Sequence, residues 1–188
     1  MALKATIFRA TLAVADMDRP YYGTHVLTLA RHPSETDERM MVRMLAFALH
    51  ADPALAFGRG LAADDEPDLW LRDPTGTIDV WIDVGLPDER LLRKAAGRAR
   101  AVVVYAYGGR ASELWWDKHQ DSLRRLPNLA VRAVAQHTVQ ELGRLVQRSM
   151  QLQCTIQDGH IWLSDTAATV QVELIEVHAS GDFRRSRS

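Results

Sequence analysis

Cysteine is almost missing from this chain: Cys154 is the single one among 188 residues. That excludes an intramolecular disulfide and a multi-cysteine zinc site, and it suits a reducing compartment. Set in the apolar "LQCTI", Cys154 reads as a small buried residue. A surplus of either charge is missing too, since 23 Lys and Arg stand against 24 Asp and Glu for a net charge of -1. The chain as a whole is therefore no electrostatic magnet for nucleic acid, and any such contact has to use a local patch. No uninterrupted apolar run approaches the about 20 residues that span a bilayer. The first residues, "MALKATIFRATLAVAD", alternate polar and apolar instead of running from a charged start through an apolar core to a cleavage site. A soluble, cytoplasmic protein with no membrane partner is expected. The seven histidines show no HExxH spacing, no nucleophile elbow or Cys/His signature occurs, and no glycine-rich phosphate loop follows a strand. The sequence specifies no oligomeric state.

What is present is a 47% hydrophobic content, enough for the core of one domain over residues 1–180, with 181–188 as a disordered basic tail. Residues 5–14 and 25–30 read as a hairpin around the turn chemistry of "DMDRPYYG". "HPSETDERMMVRMLAFALHAD" reads as a helix over 34–51, capped by Ser34, with Met41, Met44, Leu45, Ala48 and Leu49 as its apolar stripe. A short strand near 55–59 follows. "EPDLWLR" and "TIDVWIDV" alternate strictly around "DPTG", which fits a type I turn and predicts a hairpin of strands 67–72 and 77–84. Then come a helix over 88–99, a nearly continuous apolar strand at 101–106, a helix over "RASELWWDKHQDSL", a strand at "LAVRAVA", a helix over 138–150, and strands at "LQCTIQDGHIWLS" and "TVQVELIEV". Asp158-Gly159 is the expected tight turn. The fold class is α+β or α/β: a mixed sheet flanked by helices, plus a second antiparallel sheet formed by the N-terminal hairpin and the C-terminal strands.

The hairpin carries the chemistry. The turn as read pairs Arg72 with Thr77, hence Trp70 with Asp79, Asp68 with Trp81 and Glu66 with Asp83. Glu66, Asp68, Trp70, Asp79, Trp81 and Asp83 then share one face. Clustered carboxylates repel, by about a kcal/mol or more at a few ångström, so they call for a cation such as Mg²⁺ or Mn²⁺ or a structural compensation. Asp79 and Asp83 lie roughly 13 Å apart along one strand, too far to chelate one ion. The cross-strand diagonal from Asp68 to Asp79 is about 7–8 Å, which side chains can close around a metal. Asp83 beside Glu66 is either a second metal position or a pair neutralised by an arginine.

Pro67-Asp68, ten intervening residues and then Asp79-Val80-Trp81, within the order helix, three strands, helix, strand, resembles the PD-(D/E)XK nuclease-like superfamily, here with a core at about 34–135. The resemblance implies Asp68 and Asp79 as metal ligands and Glu38 as an assisting acid. Trp81 stands where the superfamily lysine is expected. Some members supply it from the following helix, which implies Lys94. A second alignment takes Asp79 as the first acid and Asp83-Val84-Gly85 as the second motif. Over nearly its full length the chain resembles the YaeQ family of bacterial proteins, through "MALKATIFRATLAVADMDR", "LTLARHPSETDERMMVRMLAFAL", "ADDEPDLW", "IDVWIDVGLPDERLLRKA" and "CTIQDGHIWLS". That resemblance implies a variant nuclease-like fold and no settled activity. Two functions are expected to compete. One is Mg²⁺-dependent hydrolysis of DNA or RNA by Asp68, Asp79, Asp83, Glu38 and Lys94, with Arg90, Arg93 and Arg98 steering the phosphate backbone. The other is a non-catalytic regulatory or interaction role on a degenerate nuclease fold. Each residue also has a plainer reading: Glu38 as a helix-dipole partner, Lys94 as a solvated cation, the acids as a hydrated hairpin face.

Overall fold

The structure is a computed structural model and describes residues 4–59 and 65–179, so the tail at 181–188 lies outside the described residues. The chain divides into two compact units, Met1–Pro53 with His137–Glu173 and Ala54–Gln136 with Leu174–Ser188. Among the described residues no helix is long and apolar enough to cross a membrane.

The first unit is built on a five-stranded sheet. Strands β1 (Thr6–Asp16) and β2 (Tyr21–Arg31) form the N-terminal hairpin and are followed by helix α1 (Asp37–Leu49). Alternation along β1 buries Phe8, Ala10, Leu12 and Val14. Helix α1 starts two residues later than its sequence signature: Thr36, not Ser34, is the cap and accepts a hydrogen bond from the Arg39 N–H. Glu35 is thereby left outside the helix, where it is buried and accepts from Arg39 and from the Nε and Nη2 of Arg43 at 2.8 Å each. Helix α4 (Gln136–Arg144) ends at Arg144 instead of 150, because Ser149 already opens a strand in which Met150, Leu152, Cys154 and Ile156 alternate inward. That strand, β8 (Ser149–Gln157), turns at Asp158-Gly159 into β9 (His160–Ser164), and β10 (Thr169–Val172) completes the order β10-β9-β8-β1-β2. Both turn residues have positive φ, as a two-residue hairpin loop demands. The N-terminal hairpin and these C-terminal strands do share a sheet, but it is mixed, since β1 and β8 run parallel.

The second unit is built on six strands in the order β11-β7-β6-β5-β4-β3. These are β3 (Leu55–Phe57), β4 (Leu69–Arg72), β5 (Ile78–Val84), β6 (Ala99–Ala106), β7 (Leu129–Val134) and β11 (Leu174–His178). Helices α2 (Glu89–Ala96) and α3 (Arg110–Leu123) belong to the same unit. "TVQVELIEV" is not one strand: it breaks at Glu173, whose N–H donates to the Thr138 hydroxyl, and its two halves join different sheets.

The register of the central hairpin departs from its sequence reading by two steps, each with a local cause. Asp73-Pro74-Thr75-Gly76 does form the turn, with the Gly76 N–H on the Asp73 carbonyl at 2.9 Å. Gly76 has φ +88°, a conformation open to glycine at little steric cost, so the chain gains one residue before pairing resumes and Asp73 faces Thr77. A second irregularity at Asp79 takes Arg72↔Ile78 to Leu71↔Val80, after which Trp70 faces Trp81 and Leu69 faces Ile82. Trp70 therefore does not pair with Asp79, and Asp68 does not pair with Trp81. The same bulge puts Ile78 in one cluster with Trp81, together with Leu92 and Ala95 of α2 and Trp115 and Leu123 of α3. The expected acidic face is thus closed over in its middle: Trp81 is 4% exposed.

Candidate functional site

The register carries Asp68 to the end of β5. With Leu69 opposite Ile82, the next pair outward is Asp68 and Asp83. The side chain confirms the approach, because the Asp68 Oδ2 accepts the Val84 N–H at 2.8 Å and so sits on the peptide that links Asp83 to Val84. Asp68 is 4% exposed, whereas Asp83 is half-buried and accepts the Trp81 indole N–H at 2.9 Å. The close approach of the chain on the other side of Asp68 depends on a glycine. Gly58 donates its N–H to the Asp68 carbonyl at 2.9 Å, and a Cβ there would lie 2.0 Å from the Pro67 carbonyl oxygen. Gly58 was detectable as a glycine closing the short apolar run "ALAF", a usual mark of close backbone approach.

The other expected residues have different neighbours. Asp79, in the bulge, pairs with Arg100 at 2.7 Å, which also reaches Asp73 at 3.5 Å. Arg100 is placed for this because Ile78↔Ala99 and Val80↔Ala101 set it beside Asp79 on the parallel strand. Lys94 is ion-paired with exposed Asp65, and this contact holds the Asp65 carboxyl below its ordinary range. The Arg98 guanidinium donates to the Asp65 carbonyl at 3.3 Å and lies 5.4 Å from the Trp81 ring centre. Arg93 pairs with Glu89, which also meets the His119 ring at 3.1 Å; hydrogen bonds from His119 and Ser122 keep the Glu89 carboxyl low. Arg90 is exposed on α2. Glu66 pairs with Arg59, not with Asp83. Glu38 belongs to the other unit, half-buried on α1 against Gly143, where a Cβ would come 3.0 Å from the Glu38 Cγ. The second unit thus brings together Asp68 and Asp83, and sets Asp79 and Lys94 beside other partners.

The six-stranded unit also holds a buried cation not anticipated from the sequence. Val84, Tyr105 and Arg132 lie in one cross-strand row, and Arg132, 9% exposed, donates to the Tyr105 hydroxyl at 3.2 Å. An arginine inside the apolar "LAVRAVA" was the available signal.

No group of three or more His, Cys, Asp or Glu side chains among the described residues gathers as a metal site. The Asp68–Asp83 pair nevertheless supplies the hard oxygen donors that Mg²⁺ takes, and that ion is commonly bound by one or two carboxylates together with water and substrate phosphates. Cys154, by contrast, is no nucleophile: burial first, then the Asp16 charge, pushes its thiol up to about 12.

Comparison with known proteins places the chain. The model of the YaeQ protein family matches residues 1–174. The chain belongs to the YaeQ family. It is 49% identical to the uncharacterized protein YaeQ of Salmonella typhi over 174 residues, which covers 93% of this chain and 96% of that one, and equally to its counterpart in Escherichia coli K12. The crystal structure of the YaeQ protein from Xanthomonas axonopodis pv. citri superposes with a TM-score of 0.89 at 52% identity, covering 93% of this chain and 99% of the other. The YaeQ protein from Pseudomonas syringae gives the same TM-score at 34% identity, covering 94% and 97%. The mixed α+β architecture described above is therefore that of the solved YaeQ structures.

Proposed function

We propose that this YaeQ-family chain hydrolyses phosphodiester bonds of DNA or RNA with Mg²⁺ or Mn²⁺ held by Asp68 and Asp83, on a core related to the PD-(D/E)XK nucleases. The observation that carries this reading is the Asp68 carboxylate seated on the Asp83–Val84 peptide, which puts two carboxyl groups at one end of the β4–β5 pair. The element order α1, β3, β4, β5, α2, β6 supports it. When bound, the ion supplies Lewis acidity at the phosphoryl oxygens and lowers the pKa of a bound water. The chain's own part is positional. The Val84 N–H and the Trp81 indole fix the two carboxylates, which saves reorganisation when the ion and the phosphate arrive. Lys94 takes the place of the missing motif lysine by exchanging exposed Asp65 for the scissile phosphate, and Arg90, Arg93 and Arg98 hold the flanking backbone. Asp79 orients Arg100.

The second reading, a non-catalytic interaction protein on the same fold, draws on the surface pairs Lys94–Asp65, Arg93–Glu89 and Arg100–Asp79, which give the basic residues acidic partners within the chain. End-labelled single- and double-stranded DNA and RNA incubated with the purified protein and Mg²⁺ or Mn²⁺ separate the two. The hydrolase reading expects cleavage that disappears in Asp83→Asn. Equal product from wild type and Asp83→Asn sinks it and leaves the interaction reading.

A further inference from the structure

The five-stranded sheet has a second face. While Phe8, Leu12, Leu152, Cys154 and Leu163 point inward, the intervening residues of its five strands point outward, and the register lines them up in rows such as Tyr22, Ala15, Thr155, Trp162 and Gln171. Of these outward residues only Arg9 bears a formal charge with histidine neutral, in a chain that is 25% charged overall. Soluble surfaces carry roughly 25–35% charged residues, with both signs interspersed. The edge is unguarded as well. Strand β2 ends the sheet with no charged residue from Tyr21 to Ala30, although edge strands are ordinarily protected by lysine, proline or inward charges. Val26 is 85% exposed and Tyr22 66% exposed on this strand.

We propose that this outward face is an interface, and that its occupant is a second copy of the same chain packed face to face about a two-fold axis. The area fits. About twenty outward residues, each covering roughly 32 Å² at the strand spacing and repeat of a sheet, come to about 640 Å² per copy, near the roughly 800 Å² per partner of a standard interface. The charge fits as well: a neutral face is complementary to itself, so a two-fold opposes no like charges away from Arg9, which lies toward one end of β1 between Thr28 and Ser149. A nucleic acid or a strongly charged protein finds no complementary charge here. Tyr22 and Trp162 supply the aromatic anchors that concentrate binding energy at interfaces.

Sedimentation velocity of the full chain, from about 1 to 100 μM, where an interface of modest size dissociates, tests this. The expected result is a mass that rises from monomer to dimer with concentration. Val26→Lys and Gln151→Lys, outward substitutions in one row of the face, are each expected to weaken the dimer at least about tenfold with an unchanged circular dichroism spectrum. Leu114→Lys, at an exposed position on α3 in the other unit, leaves it intact. A monomer at every concentration overturns the proposal, and so does a dimer that survives both Val26→Lys and Gln151→Lys.

Discussion

In the unit built on the five-stranded sheet, ionised groups are taken inside and close on one another: Glu35 and Arg43, 6% and 2% exposed, share a bidentate contact that Arg39 completes. In the unit built on six strands, the ion pairs Lys94–Asp65, Arg93–Glu89 and Arg100–Asp79 lie at the surface, and the buried acid, Asp68, is seated on a backbone N–H. The difference separates stability from chemistry. A buried pair cannot lose one partner without stranding a charge in a poor solvent, whereas an exposed pair is screened by water and salt. Substitutions in the first set report on folding, and those at the exposed pairs of the second are clean probes of function.

The largest effect is expected from Arg43→Ala, which takes the bidentate partner from the buried Glu35 carboxylate and leaves Arg39 beside it. A loss of about 3–5 kcal/mol is predicted, read as a lower urea midpoint at unchanged slope. A change below about 1 kcal/mol would mean that the cluster is hydrated and that the contrast between the two units fails.

A smaller, pH-dependent effect belongs to His25, which hydrogen-bonds the Tyr21 hydroxyl at 2.9 Å and stands edge-on to Phe47. Burial lowers its pKa from the ordinary 6.5, against a raising influence from Asp52. The unfolded chain therefore takes up the proton first as pH falls. The stabilisation is complete above 6.5 and is lost as pH drops through the lowered value. Melting temperature measured from about pH 7.5 down to about pH 5.5 is expected to fall less steeply in His25→Phe than in the wild type. Parallel curves would show that the ring titrates alike folded and unfolded.

The smallest effect on folding is expected from Asp79→Asn, about 0–1 kcal/mol, because Arg100 remains two-thirds exposed and keeps Asp73 within reach. Thermal melts that nearly coincide with wild type would establish Asp79 as a site probe free of stability artefacts, and a large loss would assign it a structural role.

Most elements were legible because their period is local. The alternation of "TIDVWIDV", the stripe of "DERMMVRMLAFAL" and the glycine at Asp158-Gly159 each declare themselves within a few residues. Register was not legible, because it depends on where the chain inserts an extra residue. Gly76 and Asp79 each do so, and the sum moves the partner of Asp68 from Trp81 to Asp83. Alternation also sorts side chains into two faces without saying that both are covered, which is why Trp81 is assigned by its period to the face of the acids and is instead core. The break at Glu173 and the parallel pairing of β1 with β8 arise from contacts distant in sequence, beyond any local pattern. Thr36 and Ser34 are equally good caps in isolation. Arg43 decides between them by drawing Glu35 inward.

Calorimetric titration of Mn²⁺ into the wild type, Asp68→Asn, Asp83→Asn and Asp79→Asn tests the central claim most directly. The amide introduced by Asp68→Asn retains an oxygen for the Val84 N–H, so the exchange removes charge with little change of shape. Saturable binding that is lost in Asp68→Asn and Asp83→Asn and kept in Asp79→Asn is the predicted result. No saturable binding to the wild type, or binding that disappears only with Asp79→Asn, would contradict it.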